Sequence, residues 1–132
     1  MEFSRVVIII GLPGSGKTTY AENHFSDYQI FDDFISSYYN GKLINSLKSK
    51  DKVCIIDPRL CLSHIFQRYM AEIEKTTETN DINIIIFENN PELCLDNKYC
   101  VFTYEYTKKY SESIKNGIYD KWNKILLPVY KK

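Results

Sequence analysis

This chain of 132 residues has no excess of positive or negative charge, because 17 Lys and Arg residues balance 17 Asp and Glu residues. A net charge of zero supplies no global field toward nucleic acid or a membrane surface. No apolar run approaches the roughly 20 residues of a membrane-spanning helix. Met1–Arg5 leads directly into an apolar segment, so we expect no signal peptide. These absences predict a cytoplasmic protein without a membrane partner, and they leave its oligomeric state open.

Cysteine is scarce and lacks the spacing of a metal or disulfide framework. The four cysteines form no CxxC pair and lie at Cys54, Cys61, Cys94 and Cys100. This usage predicts reduced thiols in preference to a zinc site or disulfides. A chain of this length buries roughly two-thirds of its unfolded surface, so its core needs no crosslinks. Without linkers or repeats, residues 1–132 are expected to form a single domain.

One glycine-rich segment stands out in the sequence. Gly11–Thr18 reads GLPGSGKT, directly after the apolar run Val6–Ile10. This is a complete GxxxxGK[ST] pattern, between a predicted strand and a predicted helix start, which is the context that the pattern requires. The alternative is a glycine-rich turn without a ligand. The flanking elements favour a phosphate-binding loop.

Each fixed residue of this loop has a chemical role. Glycines let backbone N–H groups approach phosphate oxygens without a Cβ in the way. Lys17 brings a cation to the β- and γ-phosphates, and the Thr18 hydroxyl can bind Mg²⁺. We therefore expect ATP or GTP with Mg²⁺ as cofactors, and Lys17 to take part in catalysis. The expected nucleotide contacts are Gly11, Pro13, Gly14, Ser15, Gly16, Lys17, Thr18 and Thr19.

Apolar periodicity predicts strands that alternate with helices. The predicted strands are Arg5–Ile10, Tyr28–Phe31, Val53–Ile56 and Ile82–Phe87. The predicted helices are Lys17–Phe25, Asp33–Leu47 with a break near Asn40 and Gly41, Leu60–Lys75 and Thr107–Leu126. The alternation predicts an α/β fold with three layers, in which a parallel sheet of four to five strands has helices on both faces. Right-handed crossovers then place the loops that follow the strands at one edge.

Acidic residues follow the second predicted strand at that edge. A carboxylate of Asp32 or Asp33 can accept the proton of a substrate hydroxyl during phosphoryl transfer. Either residue can instead cap the next helix. A pair of acids allows one residue for each role, so both are catalytic candidates.

Asp57, Pro58 and Arg59 follow the third predicted strand. Asp57 is a candidate for the Mg²⁺ site or the acceptor site, and Arg59 is a candidate contact to a phosphate or substrate. Each has a plain alternative. An Asp-Pro pair is a favoured helix start, with the Asp as N-cap, and Arg59 can be a solvated surface residue.

Together these segments resemble the kinase domain of phage polynucleotide 5′-kinases and, more widely, small P-loop kinases and zeta-toxin-like proteins. The resemblance lies in Gly11–Thr18, Asp32–Phe34, Ile55–Leu60 and Leu127–Tyr130. It implies a phage or viral phosphotransferase, in which Asp32 activates the substrate hydroxyl and Asp57 helps to form the acceptor site.

The resemblance also implies two arginine positions that this sequence fills differently. Ile35 stands where the family has an arginine that holds a substrate phosphate, and Glu92–Tyr99, in place of the lid, contains no arginine. We therefore expect a reduced lid, with Asn89–Tyr106 as an ordered strand or short helix. Three functions stay open. One is a Mg²⁺-dependent kinase that transfers the ATP γ-phosphate to a hydroxyl of a nucleotide, a nucleic-acid 5′ end or a small metabolite. The second is a nucleotide-binding or regulatory module with little or no turnover. The third, which no residue supports specifically, is a small NTPase that hydrolyses without an acceptor.

Overall fold

The computed structural model describes residues 3–12, 14–32, 38, 40–88, 90, 92 and 119–129. The strands are β1 (Val6–Ile10), β2 (Gln29–Asp32), β3 (Val53–Ile56), β4 (Ile82–Phe87) and β5 (Asn123–Leu127). The helices are α1 (Lys17–His24), α2 (Lys42–Lys48) and α3 (Ser63–Ile73). Short 3₁₀ turns lie at Pro58–Cys61 and Thr79–Asp81.

The five strands form one sheet in the order β2-β3-β1-β4-β5, and every neighbouring pair is parallel. β1 lies at the centre and all five of its residues are buried. Its unbroken apolar sequence is typical of a strand that is covered on both faces. The predicted α/β class, with a parallel sheet of four to five strands, is confirmed.

Helices pack on both faces of the sheet, as predicted. On one face, Ala21 of α1 and Phe25 pack with Val7 and Ile9 of β1. On the other face, α2 and α3 pack against the alternate residues of the same strand through Leu43, Leu47, Phe66 and Met70. This division follows from right-handed crossovers, because the chain moves from β1 to β2 in one direction and afterwards only in the other. No helix among the described residues is long and apolar enough to cross a membrane.

The predicted C-terminal helix is wrong in its last part. Residues 107–118 lie outside the described part of the chain, but Asn123–Leu127 is the edge strand β5. Ile125 and Leu127 are half-buried, while Leu126 between them is 71% exposed, which is the two-residue period of a strand. Pairing with β4, from Asn83 to Phe87, overrides the helical spacing.

The helix predicted over Leu60–Lys75 is wrong at its start. The chain first makes the 3₁₀ turn Pro58–Cys61, then extends at Leu62 (φ −86°, ψ 122°), and α3 begins only at Ser63. The predicted break at Gly41 is confirmed, since α2 begins directly after it. The expected flap over Asn89–Tyr106 lies outside the described residues, apart from positions 90 and 92.

Candidate functional site

The carboxyl ends of the central strands bring several expected site residues to one edge of the sheet. Asp32, the last residue of β2, pairs with Ile56 of β3, which in turn pairs with Ile9 of β1. Asp57 and the loop that begins at Gly11 come directly after these strands. The direction of the crossovers also changes at β1. In open α/β sheets, ligands bind in the crevice at such a position, outside the carboxyl ends of the strands.

The conformation of the loop explains why glycine occupies three of its positions. Gly14 and Gly16 have φ values of 85° and 92°, in the left-handed region that favours glycine. Gly11 is required by space. A Cβ added there would lie 2.5 Å from Ser15 Oγ and 3.2 Å from Cγ and Cδ of Lys17. Pro13 lies outside the described residues.

Lys17 is buried inside this loop, with 7% of the residue exposed. Its Nζ donates to the carbonyl oxygen of Leu12 at 2.8 Å and contacts Ser15 Oγ at 3.4 Å. Gly16, the N-cap residue of α1, has no side chain with which to cap the first N–H groups of the helix. A buried ammonium group beside an uncapped helix N-terminus is an arrangement that favours a bound anion.

Thr18 connects the loop to the acid at the end of β2. Its hydroxyl donates to Asp32 Oδ2 at 2.7 Å, and both residues are exposed. The sequence placed both residues among the site candidates but did not predict their contact. Thr19 follows on the same turn of α1 and is half-buried. Asp33, the second acid of the predicted pair, lies outside the described residues.

Asp57 and Arg59 are joined to each other. Asp57 is 0% exposed. Its Oδ1 accepts hydrogen bonds from the backbone N and from Nε of Arg59, both at 2.9 Å, and its Oδ2 accepts one from Nη2 at 2.7 Å. Buried carboxylates need such pairing. The alternative in which Asp57 caps the turn that begins at Pro58 is therefore observed, together with an ion pair.

The oxygen atoms near the loop fit a magnesium ion better than a metal held by protein ligands alone. Within the described ranges, no three His, Cys, Asp or Glu residues form a group that could hold a metal. Thr18 and Asp32 supply a hydroxyl and a carboxylate in contact. Mg²⁺ commonly uses one or two such ligands and takes the rest from substrate phosphates and water.

The two described cysteines, Cys54 and Cys61, are buried and free. Burial, with a smaller contribution from the charge of Asp32, raises the pKa of Cys54 to about 12. The thiolate is the reactive form, so this side chain is inert at neutral pH.

Comparison with known proteins establishes kinship but no activity. No family model matches the chain. A protein of Acanthamoeba polyphaga mimivirus, "Uncharacterized protein R277", is 39% identical over 137 aligned residues, which cover 96% of this chain and 98% of the viral protein. The chain belongs to the family of this mimivirus protein. A viral relative is consistent with the viral source that the sequence resemblance implies. Its name states no activity.

Proposed function

We propose that the protein binds a nucleoside triphosphate with Mg²⁺ at the loop after β1. In this proposal it transfers the γ-phosphate to a hydroxyl of a nucleotide, a nucleic-acid 5′ end or a small metabolite. The observation that carries the proposal is the buried Lys17 ammonium group beside the uncapped N-terminus of α1. Anions are stabilised at such a position, and the GLPGSGKT order matches a polyphosphate ligand.

Asp32 supports transfer to an acceptor over simple binding. Its carboxylate is exposed and contacts the first turn of α1 through Thr18. An acceptor hydroxyl bound there would give its proton to this carboxylate as its oxygen attacks the γ-phosphorus and the nucleoside diphosphate leaves. Mg²⁺ bound to the phosphates would neutralise the charge that develops on them. Asp33 is the other candidate for the base.

A nucleotide-binding module with little turnover is the second candidate, and the positions of the three arginines favour it. Arg5 precedes β1 and so lies at the amino ends of the strands, opposite the loop. Arg68 on α3 lies 5.7 Å from the centre of the Tyr69 ring. Arg59 lies at the same edge of the sheet as the loop after β1, but its guanidinium group pairs with Asp57. An arginine on the transferring phosphoryl group raises rates by roughly 10³–10⁵. A site without one would turn over slowly.

Incubation with γ-labelled ATP, Mg²⁺ and a panel of 5′-hydroxyl oligonucleotides, nucleosides and nucleotides separates these functions. A kinase transfers label to one class of acceptor and loses that transfer in Lys17→Ala. A binding module shows a nucleotide-dependent rise in melting temperature, which Lys17→Ala abolishes, but no transfer. If neither ATP nor GTP raises the melting temperature of the wild-type protein, both proposals are wrong. Both functions draw on the cytoplasmic nucleotide pool, which is the compartment that we propose.

A further inference from the structure

The two sides of the loop after β1 differ in their chemistry. β1 lies between β3 and β4, and the β3 and β2 side carries the charged residues Asp57, Arg59 and Asp32. On the β4 and β5 side, the strands instead end at Phe87 and Leu127, which pair in register. A nucleotide bound by its phosphates at the loop must place its nucleoside on one of these sides. A flat and largely apolar base gains most where it covers apolar surface.

Tyr20 extends the apolar side as far as the loop. It stands three residues after Lys17 on α1, so the two side chains are about one helical turn apart. Its ring lies edge-to-face against Phe87, with the ring centres 5.5 Å apart. Phe87 is buried, whereas Tyr20 and Leu127 are half-buried at the margin of the core cluster that α1 covers. Tyr20, Phe87 and Leu127 thus form a shelf that is partly open to solvent.

Hydrogen bonds hold the outer end of this shelf. The backbone N of Glu88 donates to the carbonyl oxygen of Leu127 at 2.7 Å, and Glu88 Oε1 accepts a hydrogen bond from the backbone N of Val129 at 3.1 Å. Val129 is itself buried. These contacts fasten the chain that leaves β5 beside the end of β4. A surface that is already fixed loses little freedom when a ligand binds, so more of the contact energy appears as affinity.

We propose that the shelf of Tyr20, Phe87 and Leu127 holds the nucleoside of the bound triphosphate. The inference rests on the proposed function and adds the side of the loop on which the nucleoside lies. Contact of the base with the Tyr20 ring and with Leu127 supplies affinity that the phosphates do not. The acceptor then occupies the opposite side, where Asp32 lies. Such an arrangement suits phosphoryl transfer, in which the attacking and leaving oxygens are roughly in line.

The test compares the affinities for ATP and for inorganic tripolyphosphate, each with Mg²⁺, because tripolyphosphate has the phosphates but no nucleoside. The wild-type protein should bind ATP more tightly. Tyr20→Ala should lose about 5- to 100-fold of its affinity for ATP and keep its affinity for tripolyphosphate. Tyr20→Phe keeps the ring and should bind both ligands as the wild type does. Leu127→Ala should lose about 3- to 10-fold of its affinity for ATP alone.

Two substitutions serve as matched controls. Leu126→Ala shortens the next leucine of β5, which is 71% exposed and lies on the other face of the sheet from Leu127. Phe3→Ala removes a half-buried ring that packs against the same cluster as Tyr20, but before β1, at the amino ends of the strands. Both variants should bind the two ligands as the wild type does. Thermal unfolding without ligand checks that each variant is folded, and Leu127→Ala carries the test if Tyr20→Ala is not.

The two ligands also separate failure of the inference from failure of the proposed function. If the wild-type protein binds tripolyphosphate as tightly as ATP, no surface holds the nucleoside, and the inference is wrong while the phosphate loop stands. If Tyr20→Ala and Leu127→Ala weaken the binding of both ligands equally, these side chains only support the loop. The inference is also wrong if neither variant changes the affinity for ATP. If the wild-type protein binds neither ligand, the proposed function fails and the inference fails with it.

Discussion

Replacement of Gly11 by alanine tests the loop conformation with a single methyl group. The new Cβ would lie 2.5 Å from Ser15 Oγ, and real Cβ atoms essentially never approach another heavy atom within 3.0 Å. Lys17 adds two contacts at 3.2 Å from its own stem. The substitution therefore acts on the two side chains that define the interior of the loop.

The size of the effect follows from how little these neighbours can move. Ser15 is 0% exposed, and its backbone N donates to the carbonyl oxygen of Leu12 at 3.0 Å. The hydroxyl has no solvent to turn into, so the clash is relieved only by rotation within the packed loop or by a shift of the loop itself. Overpacking of this kind costs about 1–3 kcal/mol. For a chain of this length, that lowers the melting temperature by about 3–10 °C.

Gly41→Ala is the matched control. Gly41 also precedes a helix and has a φ of +81°, but nothing lies within 4 Å of an added Cβ. Alanine is strained there by about 1–2 kcal/mol through its backbone alone. The two variants thus lose comparable stability for different reasons, and only Gly11→Ala disturbs the loop.

Thermal unfolding with and without Mg²⁺-ATP distinguishes them. At about a hundredfold excess over Kd, binding adds roughly 2.7 kcal/mol to the free energy of unfolding. Wild type and Gly41→Ala should show this gain in full, and Gly11→Ala should lose most of it because the stem of Lys17 is displaced. In a Ser15→Ala background, Gly11→Ala should cost less stability than in the wild type. If Gly11→Ala keeps both its stability and the full nucleotide gain, our description of the loop is wrong.

Three further predictions address the base, the core and pH. Asp32→Asn should lower the rate of phosphoryl transfer by about 10²–10⁴ in the labelled-ATP assay; an unchanged rate would exclude Asp32 as the base and leave Asp33. Tyr119→Phe should lower the free energy of unfolding by about 1–3 kcal/mol in denaturant titrations, because the buried carbonyl of Leu60 loses its donor at 2.6 Å, while nucleotide binding stays as in wild type. The pKa of Cys54 rises through burial from 9.0 to about 12 in the folded protein, so above pH 9 the unfolded chain loses this proton first and the free energy of unfolding falls as pH rises. Cys54→Ala should flatten that fall, and an unchanged slope between about pH 9 and pH 10 would contradict the pKa shift.

The sequence locates some strands to the residue and misses another for a physical reason. β3 and β4 begin and end as predicted because β3 is a continuous apolar run and β4 is interrupted only by Asn83, as is typical of strands that are covered on both faces. β5 has only Ile125, Leu126 and Leu127 as apolar residues, and these also suit a helix face. Its state is decided by pairing with β4, which lies more than 30 residues earlier in the chain. Local periodicity carries no information on that pairing.

The same distinction applies to the site. The loop could be predicted because its glycines and Lys17 lie within eight consecutive residues, so that local geometry fixes their relation. The contact between Thr18 and Asp32 could not, because it depends on the order of strands. β3 lies between β1 and β2 in the sheet, and only the path of α1 brings its first turn to the end of β2. No spacing in the sequence encodes that approach.

Asp32 and Asp57 differ in burial, which their positions in the sequence do not show. Both residues come at the ends of apolar strands, and both are followed by residues that suit a helix start. Asp57 is shut off from solvent, so its charge must be paired within the protein, and the 3₁₀ turn brings Arg59 back onto it. Asp32 is exposed at an edge strand, where water can solvate its carboxylate. An acid that is paired inside the protein contributes to structure, and an exposed acid at the edge of the loop is accessible to a ligand.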